Sequence, residues 1–330
     1  MLHQGMPFII GTRSVLYSLT FGRNMTKNQG IEHCLHHACL LGIQCKDHML
    51  KLQRRAMRSS EGTYATERLK PMARKFTNVI VRRPGKSLCD GITSAPELGK
   101  PIYEKAIEQH DAYIEALKQC GVEVTVLPAL EEYPDSCFVE DTAVITRCGA
   151  IIDNPGAGSR NGEAKEMEPT IRQFFDDDHI AHITAPGTLE GGDVMMVGDH
   201  FYVGRSARTN EEGIRQFIEI LEGWGLSGSE VPLEYVLHLK TGVNYLEDNN
   251  MLVAGEFVTK PEFQKYNLIE VPEEEAYGAN CIWVNGTVIV PEGYPTVLAK
   301  VQELGYKTLV VDTSEYRKID GGLSCLSLRF

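Results

Sequence analysis

Five similar modules recur along the chain, and this repetition constrains the fold more than any other feature of the sequence. Each module begins with a polar or glycine-bearing stretch, continues as an apolar strand and usually adds a tight turn and a second strand. The modules read CFVEDTAVITRCGAIID, LEGGDVMMVGDHFYVG, YLEDNNMLVAGEF, ANCIWVNGTVIV and GGLSCLSLRF. Five such units favour a ring of small sheets over a single open parallel sheet.

Further helices and strands are predicted around and between the modules. The segment TNVIVRR at 77–83 is typical of a strand, and 103–120 is typical of an amphipathic helix followed by the strand VEVTVLP. Helical patterns also occur at 163–175, 210–222 and 294–304. Three dipeptides are typical of hairpin turns: Gly198 with Asp199, Ala254 with Gly255, and Asn285 with Gly286.

The last module supplies only one strand before the chain ends. We therefore predict that the strand at 77–83 joins the same sheet and closes the ring, which would leave no exposed edge there. The polar beginnings of all five modules would then point to a shared centre. Five polar residues are expected to meet there: Glu140, Asp141, Glu190, Asn250 and Cys325.

Charge divides the chain into two predicted regions. Residues 1–75 carry twelve Lys or Arg against four acids, a balance of +8, so the total of −12 leaves −20 for residues 76–330. We interpret 1–75 as a basic, poorly ordered extension or an alternative translation start, since Met72 stands four residues before the first clear strand. A mitochondrial transit peptide is a weaker alternative. Residues 76–330 form a single predicted domain.

A cluster of cysteines and histidines lies inside the extension, in EHCLHHACLLGIQCKDH. These are zinc-type ligands, but their spacing matches no standard paired finger, so a helix or a poorly ordered tail is the better interpretation.

Composition limits the function classes. The nine cysteines have no regular spacing, which argues against a disulfide framework and for a reducing compartment, the cytoplasm. No apolar run reaches the roughly 18 residues of a membrane span. The acidic body argues against nucleic acid as the main partner and favours a cationic small molecule. The oligomeric state stays open, a homodimer included.

Three residues could together perform nucleophilic chemistry. Of the histidines after residue 75, His110, His179, His182 and His200 are interpreted as solvent-exposed, whereas His238 lies among apolar residues. His238 or Cys325 alone would be interpreted as a buried core residue. Glu190, set between an apolar residue and two glycines, needs a partner such as histidine. The three together make a nucleophile, a proton carrier and an orienting carboxylate.

From Phe76 to Phe330 the sequence resembles the dimethylarginine dimethylaminohydrolases of the guanidine-modifying, arginine deiminase-like superfamily. The motifs that carry the resemblance are SLCDGIT, YPDSCFVEDTA, NPGAGSR, GTLEGGDVMMVGDHFY, SARTNEEG, LHLKTGVNYLE, NNMLVAGEF, NCIWVNG and DTSEYRKIDGGLSCLSLRF. The resemblance implies an α/β fold, a five-bladed, pseudo-symmetric β/α propeller of the pentein type. This agrees with the five modules but does not follow from them.

The resemblance also implies roles for individual residues. Cys325 would be the nucleophile and His238 the general acid and base, with Glu190 beside it. Asp135, Glu140 and Asp141 match the carboxylate region that binds substrate. Arg160 and Arg208 match positions that hold the substrate α-carboxylate. Ile92, where the family often has leucine, and the backbone of Ile319 match further substrate contacts.

The implied reaction is hydrolysis of Nω,Nω-dimethyl-L-arginine and Nω-monomethyl-L-arginine to citrulline and an alkylamine, with no metal and no cofactor. Carboxylates are needed to hold the planar guanidinium cation by paired hydrogen bonds. Two alternatives remain open: an arginine deiminase acting on unmethylated guanidines, and a non-catalytic redox or binding protein that uses the thiol. Zinc held by Cys325 and His238 could inhibit, in which case chelators would raise activity.

Overall fold

Five three-stranded sheets make up the C-terminal part of the chain. The computed structural model describes residues 75–330 and the backbone of two earlier strands, β1 (Ile9–Thr12) and β2 (Val15–Ser18), which pair antiparallel. The chain divides into two compact units, Met1–Lys70 and Pro71–Phe330. The predictions for the rest of residues 1–74, including the cysteine and histidine cluster, lie outside the described residues. Within the described part, no helix is both long and apolar enough to cross a membrane.

The strands of the five sheets are short. They are β3 (Asn78–Arg82), β4 (Glu123–Leu127), β5 (Ala143–Ile145), β6 (Ala150–Ile152), β7 (Ile180–His182), β8 (Val194–Val197), β9 (His200–Arg205), β10 (Ser227–Pro232), β11 (Val243–Tyr245), β12 (Asn250–Val253), β13 (Asn267–Glu270), β14 (Ile282–Val284), β15 (Thr287–Pro291), β16 (Lys307–Val311) and β17 (Leu328–Arg329). Their spatial orders are β17-β3-β4, β5-β6-β7, β8-β9-β10, β11-β12-β13 and β14-β15-β16.

Each of the five three-stranded sheets has the same internal pattern. The middle strand pairs antiparallel with the first strand and parallel with the third. A parallel neighbour requires a crossover, and in four sheets a helix provides it. The helices are α1 (Tyr103–Gln119), α2 (Glu163–Ile171), α3 (Glu211–Gly223), α4 (Leu239–Gly242), α5 (Pro295–Glu303) and α6 (Ser314–Arg317). In sheet β11-β12-β13 the crossover contains two 3₁₀ turns instead, Gly255–Val258 and Pro261–Phe263.

The ring closes as the sequence predicts. The last strand, β17, pairs antiparallel with β3, with Leu328 opposite Ile80 and Arg329 opposite Val79. Apolar side chains then pack between neighbouring sheets: Ile80 and Leu328 share a buried cluster with Ala143 and Ile145 of β5 in the next sheet. The molecule from residue 75 onward is therefore a five-bladed β/α propeller, and the segment just before β17 reaches its centre.

Several local predictions are confirmed and others are wrong. The turns at Gly198 and at Asn285 join β8 to β9 and β14 to β15, with positive φ at both residues. The predicted turn at Ala254 is wrong, because the chain instead reverses at 247–249, where three successive residues have φ of 65°, 50° and 67°. The helix predicted at 163–175 ends at Ile171.

His110 was predicted to be solvent-exposed, and this is wrong. Its side chain on α1 is fully buried. Among the described residues, the backbone of Arg82 lies near enough to the ring to favour its protonation, but its geometry falls short of a full hydrogen bond. Burial lowers the pKa of His110 to about 4, and the charge of Arg83 adds to the effect.

Candidate active site

One small pocket is lined by most of the residues that the sequence predicts to form the site. It has a volume of about 30 Å³ and is flanked by Leu237, Asp320 and Phe138. The predicted site residues that line it are Ile92, Asp135, Asp141, Arg160, Glu190, Arg208, His238, Ile319 and Cys325. The beginnings of several blades thus meet in one place, as the repeating modules suggest.

A larger cavity of about 130 Å³ lies along the ring axis. It is lined by the innermost strands β5, β8, β11, β14 and β17 and contains Cys281 but no histidine. The larger size of this cavity does not make it the better candidate, because it lacks a nucleophile beside a proton carrier.

Glu190 and His238 form a buried pair. The Nε2 atom of His238 lies 2.7 Å from Oε2 of Glu190, whose side chain is completely buried. Oε1 of Glu190 accepts a hydrogen bond from Ala157 N at 3.0 Å and lies 3.4 Å from Nη1 of Arg208. Burial alone would lower the pKa of His238, but the charge of Asp141 and the hydrogen bond with Glu190 raise it to about 9. His238 is therefore an imidazolium at neutral pH. Its Nε2 contacts Glu190, and its Nδ1 does not.

The glycine pair after Glu190 lets these groups approach. Residues Gly191–Asp193 form a 3₁₀ turn. A Cβ atom on Gly192 would lie 2.7 Å from Nδ1 of His238 and 3.0 Å from Oδ1 of Asp141, closer than ordinary van der Waals contact. Gly192 N donates to the same Asp141 oxygen at 2.9 Å. Only glycine leaves room for both groups.

Asp193 was not identified from the sequence, although it follows the glycine pair directly. Its Oδ1 accepts a hydrogen bond from Leu239 N at 2.9 Å, and its Oδ2 accepts one from Ser206 Oγ at 2.6 Å. Leu239 begins α4, so Asp193 fixes the backbone immediately after His238, which precedes α4 rather than lying in a strand.

Asp141 is held by a buried ion pair. Nη1 of Arg160 lies 2.5 Å from Oδ2 of Asp141, and both side chains are almost fully buried. Burial alone would raise the pKa of Asp141, but the charges of Arg160 and His238 lower it, so Asp141 is ionised. The rest of the Arg160 guanidinium is also occupied: Nε and Nη2 donate to Glu163, and Nη2 donates to Phe138 O at 2.9 Å.

Two carboxylates hold the flap that contains Ile92. Ile92 N donates to Oδ1 of Asp135 at 3.0 Å. Two residues later, N and Oγ of Ser94 donate to Asp320 at 2.6 and 2.8 Å. Burial raises the pKa of Asp135, partly offset by Arg160 and by the Ile92 hydrogen bond. The flap therefore lies against the pocket with Ile92 about one third exposed, at 36%.

Cys325 stands half-buried at the approach to β17. Burial raises the pKa of its thiol to about 12, and the charges of Glu140 and Asp141 add to the increase. The resting pocket thus contains a thiol and an imidazolium rather than a preformed thiolate.

Two residues expected at the centre lie outside the pocket. Glu140 is buried, but Oε1 lies 2.5 Å from Lys240 Nζ, and Oε2 accepts a hydrogen bond from Ser324 Oγ at 2.9 Å. The expectation for Asn250 is wrong: its Nδ2 donates to Tyr306 Oη at 2.7 Å, at the beginning of β12.

Among residues 75–330, one group has side chains spaced to hold a metal ion. Ligand atoms of Asp141, Glu190 and His238 lie within 4.8 Å of one another. The set does not include Cys325, and its members already pair with Arg160 and with each other, which matches a hydrogen-bonded catalytic cluster better than a metal cage.

Comparison with known proteins places this geometry in a family. Residues 95–259 match the family model described as N,N dimethylarginine dimethylhydrolase, eukaryotic. The N(G),N(G)-dimethylarginine dimethylaminohydrolase of Pseudomonas aeruginosa is 61% identical over 255 residues, which cover 77% of this chain and all of that protein. The Streptomyces coelicolor protein of the same name is 35% identical over 252 residues, 76% of this chain and 95% of that one.

Solved structures give the same result. The P. aeruginosa enzyme, as a cysteine-to-serine variant complexed with citrulline, superposes with a TM-score of 0.77 and 60% identity over 78% of this chain and 100% of that chain. The N-terminal domain of a cyanobacterial arginine dihydrolase shares the fold at 19% identity, with a TM-score of 0.67 over 78% of this chain and 97% of that domain. The chain belongs to the dimethylarginine dimethylaminohydrolase family.

Proposed function

We propose that this protein hydrolyses Nω,Nω-dimethyl-L-arginine and Nω-monomethyl-L-arginine to L-citrulline, releasing dimethylamine or methylamine. One observation carries the proposal: a cysteine, a histidine paired with a buried glutamate, and an ionised aspartate line the same small pocket. The citrulline complex of the P. aeruginosa relative supports the same product.

Asp141 is the proposed main anchor for the guanidinium, and Asp135 completes the polar wall. A planar cation needs carboxylate acceptors in fixed positions, which the contacts of Asp141 to Arg160 and Gly192 supply. The proposed contacts of Ile92 and the Ile319 backbone complete this end of the site. Glu140 is a weaker candidate for direct contact, because it does not line the pocket that contains Cys325 and His238.

Arg208 is the better of the two proposed α-carboxylate ligands. Its side chain is 17% exposed, and within residues 75–330 its ion pair is the 3.4 Å contact with Glu190. Arg160 uses four of its five N–H groups on protein acceptors and keeps one on Nη1. Arg160 can therefore add at most one hydrogen bond to the substrate.

The first half of the proposed reaction forms the C–S bond. Because the resting thiol is protonated, we assign its ionisation to substrate binding: the guanidinium charge stabilises the thiolate, and the thiol proton leaves to solvent. Sγ of Cys325 attacks the guanidinium carbon and gives a tetrahedral adduct. His238 donates its proton to the methylated nitrogen, the C–N bond breaks with its electron pair on nitrogen, and the amine departs.

The second half returns the enzyme to its starting state. The product of the first half is an S-alkylthiouronium on Cys325. Neutral His238 takes a proton from water, whose oxygen attacks the same carbon. The C–S bond then breaks with its electron pair on sulfur, the remaining hydroxyl proton of the adduct passes to that sulfur and restores the thiol, and the urea group of citrulline is released. Glu190 keeps the imidazolium oriented in both halves.

The test incubates the purified chain with dimethylarginine or arginine and measures citrulline. We expect turnover of dimethylarginine to exceed that of arginine. Greater arginine turnover would support the deiminase alternative, and no citrulline from either would support the non-catalytic one. Cys325→Ser should abolish turnover and leave the thermal unfolding midpoint near the wild-type value; an active variant would contradict the assignment of the nucleophile.

The same proposal places the activity in residues 76–330, with residues 1–75 as a basic extension. The P. aeruginosa relative supports this division, since 255 residues of this chain match its entire length. Cytoplasmic localisation is supported by the six described cysteines, which are all free thiols. N-terminal sequencing of the native protein would show whether residues 1–75 are retained, and sedimentation would distinguish a monomer from a homodimer.

A further inference from the structure

A buried acid behind the pocket has no part in the reaction described above. Glu163 is the first residue of α2 and is 2% exposed. Its Oε2 lies 2.7 Å from Nη2 of Arg160, and both of its oxygens lie 3.1 Å from Nε of Arg160. This two-point contact fixes the plane of the guanidinium as well as its charge.

Arg160 creates an electrostatic problem for a site that binds a cation. It is almost fully buried and lines the pocket, and Nη1 lies 2.5 Å from Asp141. If Asp141 were the only acid neutralising Arg160, the pair would carry no net charge, and a guanidinium substrate would gain little from approaching it. Arg160 and Asp141 together with Glu163 carry one net negative charge.

We propose that Glu163 is a positioning residue that neutralises Arg160, so that Asp141 keeps a full negative charge for the substrate cation. The inference rests on the proposed function, because it assumes that Asp141 binds a guanidinium. Burial raises the pKa of Glu163, but Arg160 opposes this increase by its charge and its hydrogen bonds. The three groups form a buried row that runs from the beginning of α2 to the pocket.

An electrostatic role of Glu163 should affect a cationic ligand and a neutral ligand differently, whereas a purely structural role should affect both alike. Dimethylarginine and citrulline share the same amino-acid end and differ at the reacting end, where one is a cation and the other a neutral urea. Loss of the Glu163 charge should weaken binding of the cation and leave binding of the urea nearly unchanged. A distorted pocket would weaken both together.

The experiment measures, for the full-length wild type and Glu163→Gln, the KM for dimethylarginine and the inhibition constant of citrulline. Release of dimethylamine is followed, so that added citrulline does not interfere. We expect the ratio of KM to the citrulline constant to rise at least about 10-fold in Glu163→Gln, since truncation of one partner of a buried charge pair is costly. An unchanged ratio, whether or not both constants move, overturns the proposal.

Two further variants sharpen the result. Glu166→Gln removes the same charge from an exposed position on the same helix and should leave the ratio within about 2-fold of wild type, as expected of a solvent-screened charge. Glu163→Asp keeps the charge but retracts it by one methylene, so its ratio should lie between those of wild type and Glu163→Gln. If Glu163→Gln does not fold, the same measurement is made on Glu163→Asp. A Glu163→Asp variant that is less stable than wild type but has the wild-type ratio of KM to the citrulline constant overturns the proposal. Absence of turnover in the wild type would instead refute the proposed function itself.

Discussion

Replacement of Glu190 by glutamine should change the pH dependence of the reaction more than its geometry. The pKa of His238 rises from 6.5 to about 9 in the folded protein, through Asp141 and the 2.7 Å contact with Glu190 and against the effect of burial. This difference corresponds to about 3 kcal/mol of stabilisation of the imidazolium. Glutamine has nearly the same shape but cannot supply the negative charge, so the variant loses part of this stabilisation.

The magnitude follows from the protonated fraction of His238. At pH 8 about 90% of the imidazole is protonated with a pKa of 9, but only about 3% with a pKa of 6.5. Complete loss of the increase would therefore lower kcat/KM about 30-fold at pH 8 and less than about 2-fold at pH 6. Because Asp141 remains, we expect a loss of roughly 3- to 30-fold at pH 8.

The assay records kcat/KM for wild type and Glu190→Gln between pH 6 and pH 9 and plots their ratio. This ratio removes the contribution of the Cys325 thiol, which both proteins share. Glu219→Gln, an exposed substitution on α3, serves as the control and should give a flat ratio near one. A Glu190→Gln ratio that is large but independent of pH would refute the reasoning, since it would mean that Glu190 only shapes the site.

Much of the propeller is predictable from the sequence because its strands and turns are specified by residues that are neighbours in the chain. Alternating apolar residues and turn signals fix most strands, and the single strand of the last module predicts the pairing of β17 with β3. The glycine pair beside Glu190 is a local signal of the same kind, since it marks close approach of another segment. Local signals fail at 254–255, where a glycine begins a 3₁₀ turn instead of a hairpin.

Burial of polar side chains is what the sequence hides, whether the partner lies three residues away, as for Glu163 and Arg160, or hundreds. Glu163 stands in the first turn of a helix, where an acid usually indicates interaction with the helix dipole in solvent, so its burial against Arg160 is invisible. His110 is similar: α6 packs on α1, with Glu315 N donating to Gln109 Oε1 across 206 residues. The side of α1 that looks polar in the sequence is therefore covered in the fold.

Two further substitutions test these packing arguments. Gly192→Ala should abolish turnover without unfolding the protein, because the new Cβ would lie 2.7 Å from the His238 ring and displace the imidazole; near-normal kcat would show that the site relaxes freely. His110→Leu should make the protein more resistant to acid. The pKa of His110 is about 4 in the folded protein against 6.5 for the ordinary group, so stability is lost as pH falls below 6.5 and continues to be lost until about pH 4. The integrated cost is about 2 kcal/mol at pH 5, and leucine removes it together with two poorly hydrogen-bonded ring nitrogens. Urea unfolding at pH 7 and pH 5 should therefore show a smaller loss of stability for His110→Leu than for wild type, whereas the exposed substitution His179→Gln should behave like wild type. Equal losses in wild type and His110→Leu would mean that His110 accepts its proton in the folded state without penalty.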